Sequence, residues 1–329
     1  MSLKRLGEGG RLSFEESYSL ALSILRGDLG DVEVAAALTA MRVRGEEAEE
    51  VAGFAKAARD SCVKVDVDVE AIDTAGTGGD GQNTINLSTA AAVVASAAGA
   101  YVLKHGNRSV TSPSGSADFL EALGYNIMLK PDQVVKALKE SRFAFLFAPA
   151  YHPTFAKVAP IRKRLPFRTI FNIIGPLANP AHVGRQVIGV AERRLLDVVA
   201  RAGLLLSLRH LVVLHGEPGI DEASIEGATE VAEVRGGSIE RYMVYPEDLG
   251  ARRGKTPRAS SREESVARTI AGLGGRDRDA AEAVAVNAAF ALYVSGIARD
   301  LKDGYELAKS TIHSGEALRH LERIIKASR

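Results

Sequence analysis

Apolar and polar positions follow a helical period through the N-terminal part of the chain. Ser13 and Glu16 stand at capping-box spacing ahead of Tyr18, Leu22 and Leu25, which predicts a helix that stops at Gly27. Asp31 opens a second apolar run, VEVAAALTAMRV, ending near Gly45, and EEAEEVAGFAKAARD puts Val51, Phe54 and Ala58 on one helical face. Nothing before residue 64 reads as a strand. The period then changes. VKVDVDVE alternates as an extended linker or sheet edge does, and beyond it short β-like runs are followed by glycine turns and helices.

The unit AIDTAG, loop, STAAAVVASAAG, YVLKHG reads as strand, loop, helix and strand, the way a parallel α/β sheet is assembled. Further strands are predicted at FAFLFA, QVIGVA and HLVVLHG, and EVAEV and RYMVY around GGS suggest a hairpin. AAEAVAVNAAFALYVSG and YELAKSTIHSG are helical with glycine stops. Residues 160–180 carry Pro160, Pro166, Gly175, Pro176 and Pro180, so they are expected to form a crossing between domains rather than regular structure. No internal repeat is visible.

A chain of 329 residues exceeds the usual length for one core and favours two domains, or one large α/β domain with an appendage. With 46% hydrophobic and 25% charged residues it has the profile of a compact globular protein. Its 42 basic and 41 acidic residues leave a net charge of +1, so no global field draws it to nucleic acid or a membrane, and an anionic ligand must be held locally. The single cysteine, Cys62, excludes an intrachain disulfide and a thiolate-rich metal site; it reads as a small buried apolar residue in a reducing cytoplasm. MSLKRLGEGGRLSF lacks the apolar core of a signal peptide, and no apolar run is long enough to span a bilayer, so a soluble protein is expected.

Gly76, Gly78 and Gly81 have the spacing G-x-G-x-x-G. A dinucleotide-binding loop would be followed about 20 residues later by an acidic residue on the ribose, whereas this chain offers Ala100, Tyr101 and then Lys104 and His105. The lysine and hydroxyl residue that close a nucleoside-triphosphate P-loop are also missing. What remains is a loop whose bare backbone can approach an anion, with Asn86, Ser88 and Thr89 at the mouth of the next helix. That is either a phosphate site at a helix N-terminus or a glycine turn with a hydroxyl cap. KHGNRSV, at the end of the following strand, supports the first: Lys104, His105, Asn107 and Arg108 cluster there, with Ser112, Ser114 and Ser116 beyond. Two neighbouring donor-rich loops at strand C-termini describe a phosphate-and-ribose pocket.

DTAGTGGDGQNTINLSTA, KHGNRSVTSPSGSADFLEALG, YHPTFAKVAPIRK, RTIFNIIGPLANP and HGEPGIDEAS resemble, in chain order and spacing, the anthranilate phosphoribosyltransferases. The resemblance runs from the first helix to the last. It implies an α/β fold of the nucleoside phosphorylase/phosphoribosyltransferase type: a small helical domain (1–69, joined by the 160–183 crossing) and a larger α/β domain (70–159 and 184–329) with a mostly parallel central sheet. It implies transfer of the phosphoribosyl group of phosphoribosyl pyrophosphate to the amine of anthranilate, giving N-(5-phosphoribosyl)anthranilate and pyrophosphate, in tryptophan biosynthesis. A cytoplasmic homodimer through the helical domain is implied as well, with no membrane or nucleic-acid partner.

By motif position the resemblance assigns the pyrophosphate donor to Gly76, Gly79, Asp80, Thr84 and Asn86, and to Leu87, Ser88 and Thr89 at the helix start. The second loop adds Lys104, His105, Gly106, Asn107, Arg108 and Ser109, then Val110, Thr111, Ser112 and Ser116. Lys104 and Asp80 are the catalytic candidates; a departing pyrophosphate needs its charge neutralised, and lysine and metal supply that. Magnesium is the implied cofactor. Its implied ligands are Asp221, Glu222 and Ser88; taken alone, two acidic residues in a loop are usually a solvated surface. Anthranilate is assigned to Gly76, His105, Asn107, His152, Arg162, Gly175 and Pro176, with Arg162 forking onto its carboxylate. By themselves His152 reads equally as a histidine packed at a helix start and Arg162 as a solvated charge in RKR. Thr111, Pro113, Phe155 and Leu165-Pro166 depart from the family pattern and bear on loop stiffness and closure. A pyrimidine nucleoside phosphorylase, and a nucleic-acid-binding relative using Arg252, Arg253 and Lys255, are the rival readings.

Overall fold

The computed structural model describes residues 2–109 and 112–329. The predicted N-terminal helices form at Phe14–Arg26, Asp31–Arg44 and Ala48–Asp60. Ser13 Oγ accepts from Glu16 N while the Glu16 carboxylate accepts from Ser13 N, and Gly27 ends the helix at φ 80°. The buried stripe of that first helix runs through Leu20, Ala21, Ile24 and Leu25; Tyr18 and Leu22 pack at its rim instead of at its centre.

One seven-stranded sheet organises the rest, in the order β3-β2-β1-β4-β5-β6-β7. Its strands are β1 (Ala71–Gly76), β2 (Tyr101–Gly106), β3 (Phe143–Phe147), β4 (Arg185–Gly189), β5 (His210–Gly216), β6 (Thr229–Arg235) and β7 (Ser238–Val244). β1 to β5 run parallel, and β6 and β7 add an antiparallel hairpin with β7 as a largely exposed edge. The chain is therefore a small helical unit beside a larger α/β unit with a mostly parallel sheet. From β1 the chain winds outward to β2 and β3, then returns through the crossing to β4 and continues the other way. The order reverses between β1 and β4, and such a switch point opens a crevice at the strand C-termini.

Each face of the sheet has its own core. On one side lies the alanine-rich helix Leu87–Ala97, mostly apolar and almost wholly buried, packed on Arg278–Ser295, which is also rich in alanines that allow close approach. On the other side Leu195–Leu205 packs between the sheet and Ala48–Asp60, so Ile188, Val190 and Val213 share a core with the helical unit. The stretch VKVDVDVE joins no strand; it bends at Asp68 and Val69, and Val63 N donates to Tyr151 O and Val65 N to Pro180 O.

The crossing departs from expectation. It folds into short helices at Ala159–Arg164 and Ile170–Ile173 and a 3₁₀ turn at Pro176–Ala178. Pro160 and Pro176 sit in the first turns, where the missing N–H costs nothing, so these prolines begin elements instead of preventing them. Cys62 also differs: it is half-buried, with Sγ donating to Arg59 O, and burial raises its thiol pKa.

Candidate active site

Gly76 ends β1 and pairs with Gly189 at the end of β4, on the two sides of the switch point. Both are glycine for one reason. A Cβ on Gly76 would lie 2.2 Å from Asp221 Oδ2, and one on Gly189 would lie 1.6 Å from Asp221 O. The loop after β5 thus reaches in over the sheet, and Gly78 N donates to Asp221 Oδ2 at 2.6 Å. Gly78 and Gly79 hold positive φ, which lets the glycine loop curl around that carboxylate.

Asp80, Asp221 and Glu222 bring carboxylate oxygens within 4.8 Å of one another. Thr84 Oγ1 donates to Glu222 Oε2 at 3.2 Å and Gln82 N to Asp80 Oδ1 at 3.0 Å. Burial raises the pKa of Asp221, and the charge of Asp80 raises it further; Glu222 is raised by burial and then by Asp221 and Asp80. A cluster that burial and repulsion so oppose in its anionic form fits a hard divalent cation, which takes oxygen ligands and would relieve both. The expectation that an acidic pair in a loop is solvated does not hold here. Asp80 joins the pair, while Ser88 Oγ accepts from Lys104 Nζ at 3.3 Å.

Lys104, on β2, is 1% exposed. Its ammonium donates to Thr74 O and to Ser88 Oγ, at the start of the helix Leu87–Ala97. Burial lowers its pKa to about 8, opposed by Asp73 and then by Glu222 and Asp221. A fully buried cation beside a carboxylate cluster and a helix N-terminus is arranged for an anionic, metal-bearing ligand. Thr89 Oγ1 is buried there with no partner among the described residues, and Leu87 is buried apolar packing.

The second loop is less open than its composition suggests. Ser109 Oγ accepts from Ser112 N at 2.8 Å, and Asp118 accepts from Ser109 N and Gly115 N, so several of its donors brace the loop itself. Arg108 pairs with Glu121 at 2.6 Å, and Asn107 Oδ1 accepts from Arg108 N. Ser116 Oγ donates to Asn107 O at 3.3 Å and lies against Gly106, where a Cβ would approach it to 2.2 Å. Asn86 Nδ2 donates to Ser114 O and Gly115 O, joining the two loops. Val110 and Thr111 lie outside the described residues.

Beside this pocket stands an aromatic wall. The rings of His105 and His152 meet at 5.1 Å with a tilt of 57°, those of His152 and Phe155 at 5.0 Å with a tilt of 31°, and Phe155 meets Phe171 edge-on at 5.5 Å. Arg162 lies over Phe171 at 5.4 Å, half-buried and without a carboxylate partner among the described residues, so it is not a solvated charge. Burial lowers its pKa, and Arg168 lowers it further. His105 Nδ1 donates to Gly175 O at 3.2 Å, which leaves Nε2 as a buried lone pair without a partner among the described residues. Burial holds His105 well below the usual histidine range and His152 down to about 4, so both rings are neutral at pH 7. Neither nitrogen of His152 has a hydrogen-bond partner among the described residues, although the Ala58 and Ala178 carbonyls favour a proton there. Pro176, next to Gly175, is buried and accepts through its carbonyl from Gln186 Nε2 at 2.9 Å.

Three further residues of this region lie inside the stretches DTAGTGGDGQNTINLSTA and RTIFNIIGPLANP, but the resemblance assigned them no role. Arg168 donates to Thr77 O at 2.5 Å and occupies the space where Gly79 would carry a Cβ. Asp73 and Asn179 are fully buried and bonded to each other at 2.9 Å. Apart from its place in that stretch, the signal for Asp73 is a charged residue inside the mostly apolar strand AIDTAG. Of the basic residues considered for nucleic acid, Arg252 pairs with Asp279 and Arg253 with Glu247.

Comparison with known proteins agrees with this geometry. Residues 68–318 match the glycosyl transferase family α/β domain, and residues 2–62 match the family's helical bundle domain. The chain is 61% identical over 327 residues to the anthranilate phosphoribosyltransferase of Pyrobaculum arsenaticum, covering 99% of this chain and 98% of that one. The corresponding Pyrococcus furiosus protein is 47% identical, with 98% of both chains covered. Among solved structures, anthranilate phosphoribosyltransferase from Thermus thermophilus superposes with a TM-score of 0.94 at 38% identity, covering 100% of this chain and 99% of that one. The Saccharomyces cerevisiae enzyme, solved in complex with phosphoribosyl pyrophosphate and magnesium, gives 0.88 at 31% identity over 99% and 96%.

Proposed function

Since the chain belongs to the anthranilate phosphoribosyltransferase family and transfers the phosphoribosyl group of phosphoribosyl pyrophosphate to anthranilate in tryptophan biosynthesis, we propose how its residues divide that work. The pyrophosphate end of the donor lies against the glycine loop, the start of Leu87–Ala97 and the KHGNRSV loop, with Lys104 as its buried cation. The observation that carries this is the Lys104 ammonium, held between Thr74 and Ser88 beside the carboxylate cluster.

Asp80, Asp221, Glu222 and Ser88 would hold magnesium, which when bound supplies positive charge to the leaving group. The acceptor lies along the wall of His105, His152, Gly175 and Pro176, with Asn107 and Gly76 toward the donor. Arg162, a half-buried cation without a carboxylate partner among the described residues, takes the anthranilate carboxylate. The amine is neutral at physiological pH. Its lone pair forms the bond to C1 as the C1–O pair departs with pyrophosphate, and the nitrogen then gives up a proton. Proximity and charge stabilisation suffice, without a covalent intermediate.

Loss of anthranilate fluorescence on mixing the protein with magnesium and phosphoribosyl pyrophosphate tests the whole scheme. Loss that requires both donor and metal is expected; none, in folded protein, overturns it. The same reading includes a cytoplasmic homodimer through the helical domain. Val32 and Val43, each 83% exposed on Asp31–Arg44, support such an interface. Sedimentation at micromolar concentration should report a dimer, and Val43→Asp should shift it to monomer.

A further inference from the structure

Asp73 lies in β1, in the middle of the site, yet both of its carboxylate oxygens are already engaged. Oδ1 accepts from His105 N at 3.2 Å and Oδ2 from Asn179 Nδ2 at 2.9 Å. Asn179 is equally committed: its amide also donates to Leu103 O at 2.8 Å, and its Oδ1 accepts from Ala181 N at 2.9 Å. Neither side chain has a group left over for substrate, and both are 0% exposed. A buried carboxylate is costly unless fully satisfied, and an apolar strand has cheaper ways to fill that volume.

What the pair joins explains it. Asp73 grips the backbone of β2 between Lys104 and His105, the residues assigned to the pyrophosphate and to the acceptor wall. Asn179 sits just after Gly175 and Pro176, the acceptor side of the crossing, and reaches the same strand at Leu103. A parallel thread, His105 Nδ1 to Gly175 O, links the same two segments a few residues away. Among the described residues the crossing pairs with no strand, so bonds such as these help to set where it lies against β2.

We propose that Asp73 and Asn179 are positioning residues that register the acceptor half of the site against the donor half, setting the distance between amine and C1. The inference rests on the division of the site given above. Near-attack geometry tolerates little displacement: a shift of about 1 Å costs on the order of a hundredfold in rate. Each half-site keeps its own ligands when the pair is broken, so binding should survive where reaction does not.

Asp73→Asn tests this with an isosteric change. Its oxygen is needed by His105 N, so its amide must face the Asn179 amide, donor against donor. Asn179→Asp sets carboxylate against carboxylate, whereas the double variant D73N/N179D restores one donor facing one acceptor. Single-turnover rates at saturating donor and magnesium should fall at least about tenfold in each single variant. Dissociation constants for donor and for anthranilate should stay within about threefold of wild type, and the double variant should recover part of the lost rate. Single variants with lowered thermal midpoints but wild-type single-turnover rates would reduce the pair to a structural role and overturn the proposal, as would a rate loss matched by loss of donor binding. If either single variant fails to fold, Asn179→Ser decides, because serine is too short to reach Asp73 and Leu103 together: a folded enzyme with undiminished rate overturns the proposal, and a slowed one with intact binding supports it. Lys104→Ala, run alongside, separates this from the site assignment, since a fully active Lys104→Ala enzyme would sink the assignment itself.

Discussion

Lys104 and Arg162 are two cations used in different ways. Lys104 is enclosed, its ammonium fixed by Thr74 and Ser88, so on the proposed assignment removing it takes a preset charge away from the leaving group. Lys104→Ala is expected to lower turnover at saturating substrates by roughly 10²- to 10³-fold, the usual cost of one preorganised charge donor, as measured by the fluorescence assay. Arg162 is only half-buried, and its proposed role is on the ground-state acceptor. Arg162→Ala should therefore raise KM for anthranilate roughly 10- to 100-fold, the worth of a charge-assisted bond, while KM for the donor stays near wild type. At this scale much was legible before folding, because KHGNRSV and GIDEAS bring chemically unusual residues together in short loops. Asp73, Asn179 and Arg168 were not: their partners lie across the fold, and nothing in spacing along the chain reports a bond between residues 73 and 179.

Elements meet at the switch point, where two strands end in glycine and a loop from a third crosses over them. Gly189→Ala would drive a methyl group into the Asp221 backbone. Overpacking of this kind costs about 1–3 kcal/mol, and here it also moves a carboxylate of the cluster. A lower thermal midpoint together with a raised magnesium requirement is expected, the second measured by activity against metal concentration. A different contact between elements should respond to pH. His320, on Glu316–Ala327, has Nε2 within 3.0 Å of Ser96 Oγ on Leu87–Ala97, and Arg323 donates to its Nδ1. The ring is thus neutral with its proton on Nε2, and burial, then Arg323, lowers its pKa to about 4. Protonation is easier in the unfolded chain, near pH 6.5, so the stability this ring contributes is whole above that pH and lost as pH falls toward 4. His320→Gln cannot take up that proton. The stability advantage of wild type over the variant should shrink by about 2 kcal/mol between pH 7.5 and pH 4.5, read from denaturant midpoints.

Across the whole molecule, the site is a seam between two cores, and the crossing is sewn into it by side chains. Arg59 donates to Leu177 O at 2.6 Å, Gln186 to Pro176 O and Arg168 to Thr77 O. On the proposed assignment donor and metal bind across this seam and favour only the folded chain, so together they should raise the thermal midpoint more than either alone; calorimetry with each omitted measures it. By itself the sequence determined the helical unit, the parallel sheet and the two donor-rich loops, because helical period, strand alternation and glycine punctuation are local properties. It also marked the crossing, but read its prolines as breakers where they open short helices. Tertiary structure alone decided that Asp80 joins Asp221 and Glu222, that the Ser109 and Ser112 hydroxyls brace their own loop, and that Asp73 and Asn179 tie the two halves of the site. Those outcomes depend on which segments the sheet order brings face to face, and the order reverses between β1 and β4 only once the whole chain has packed.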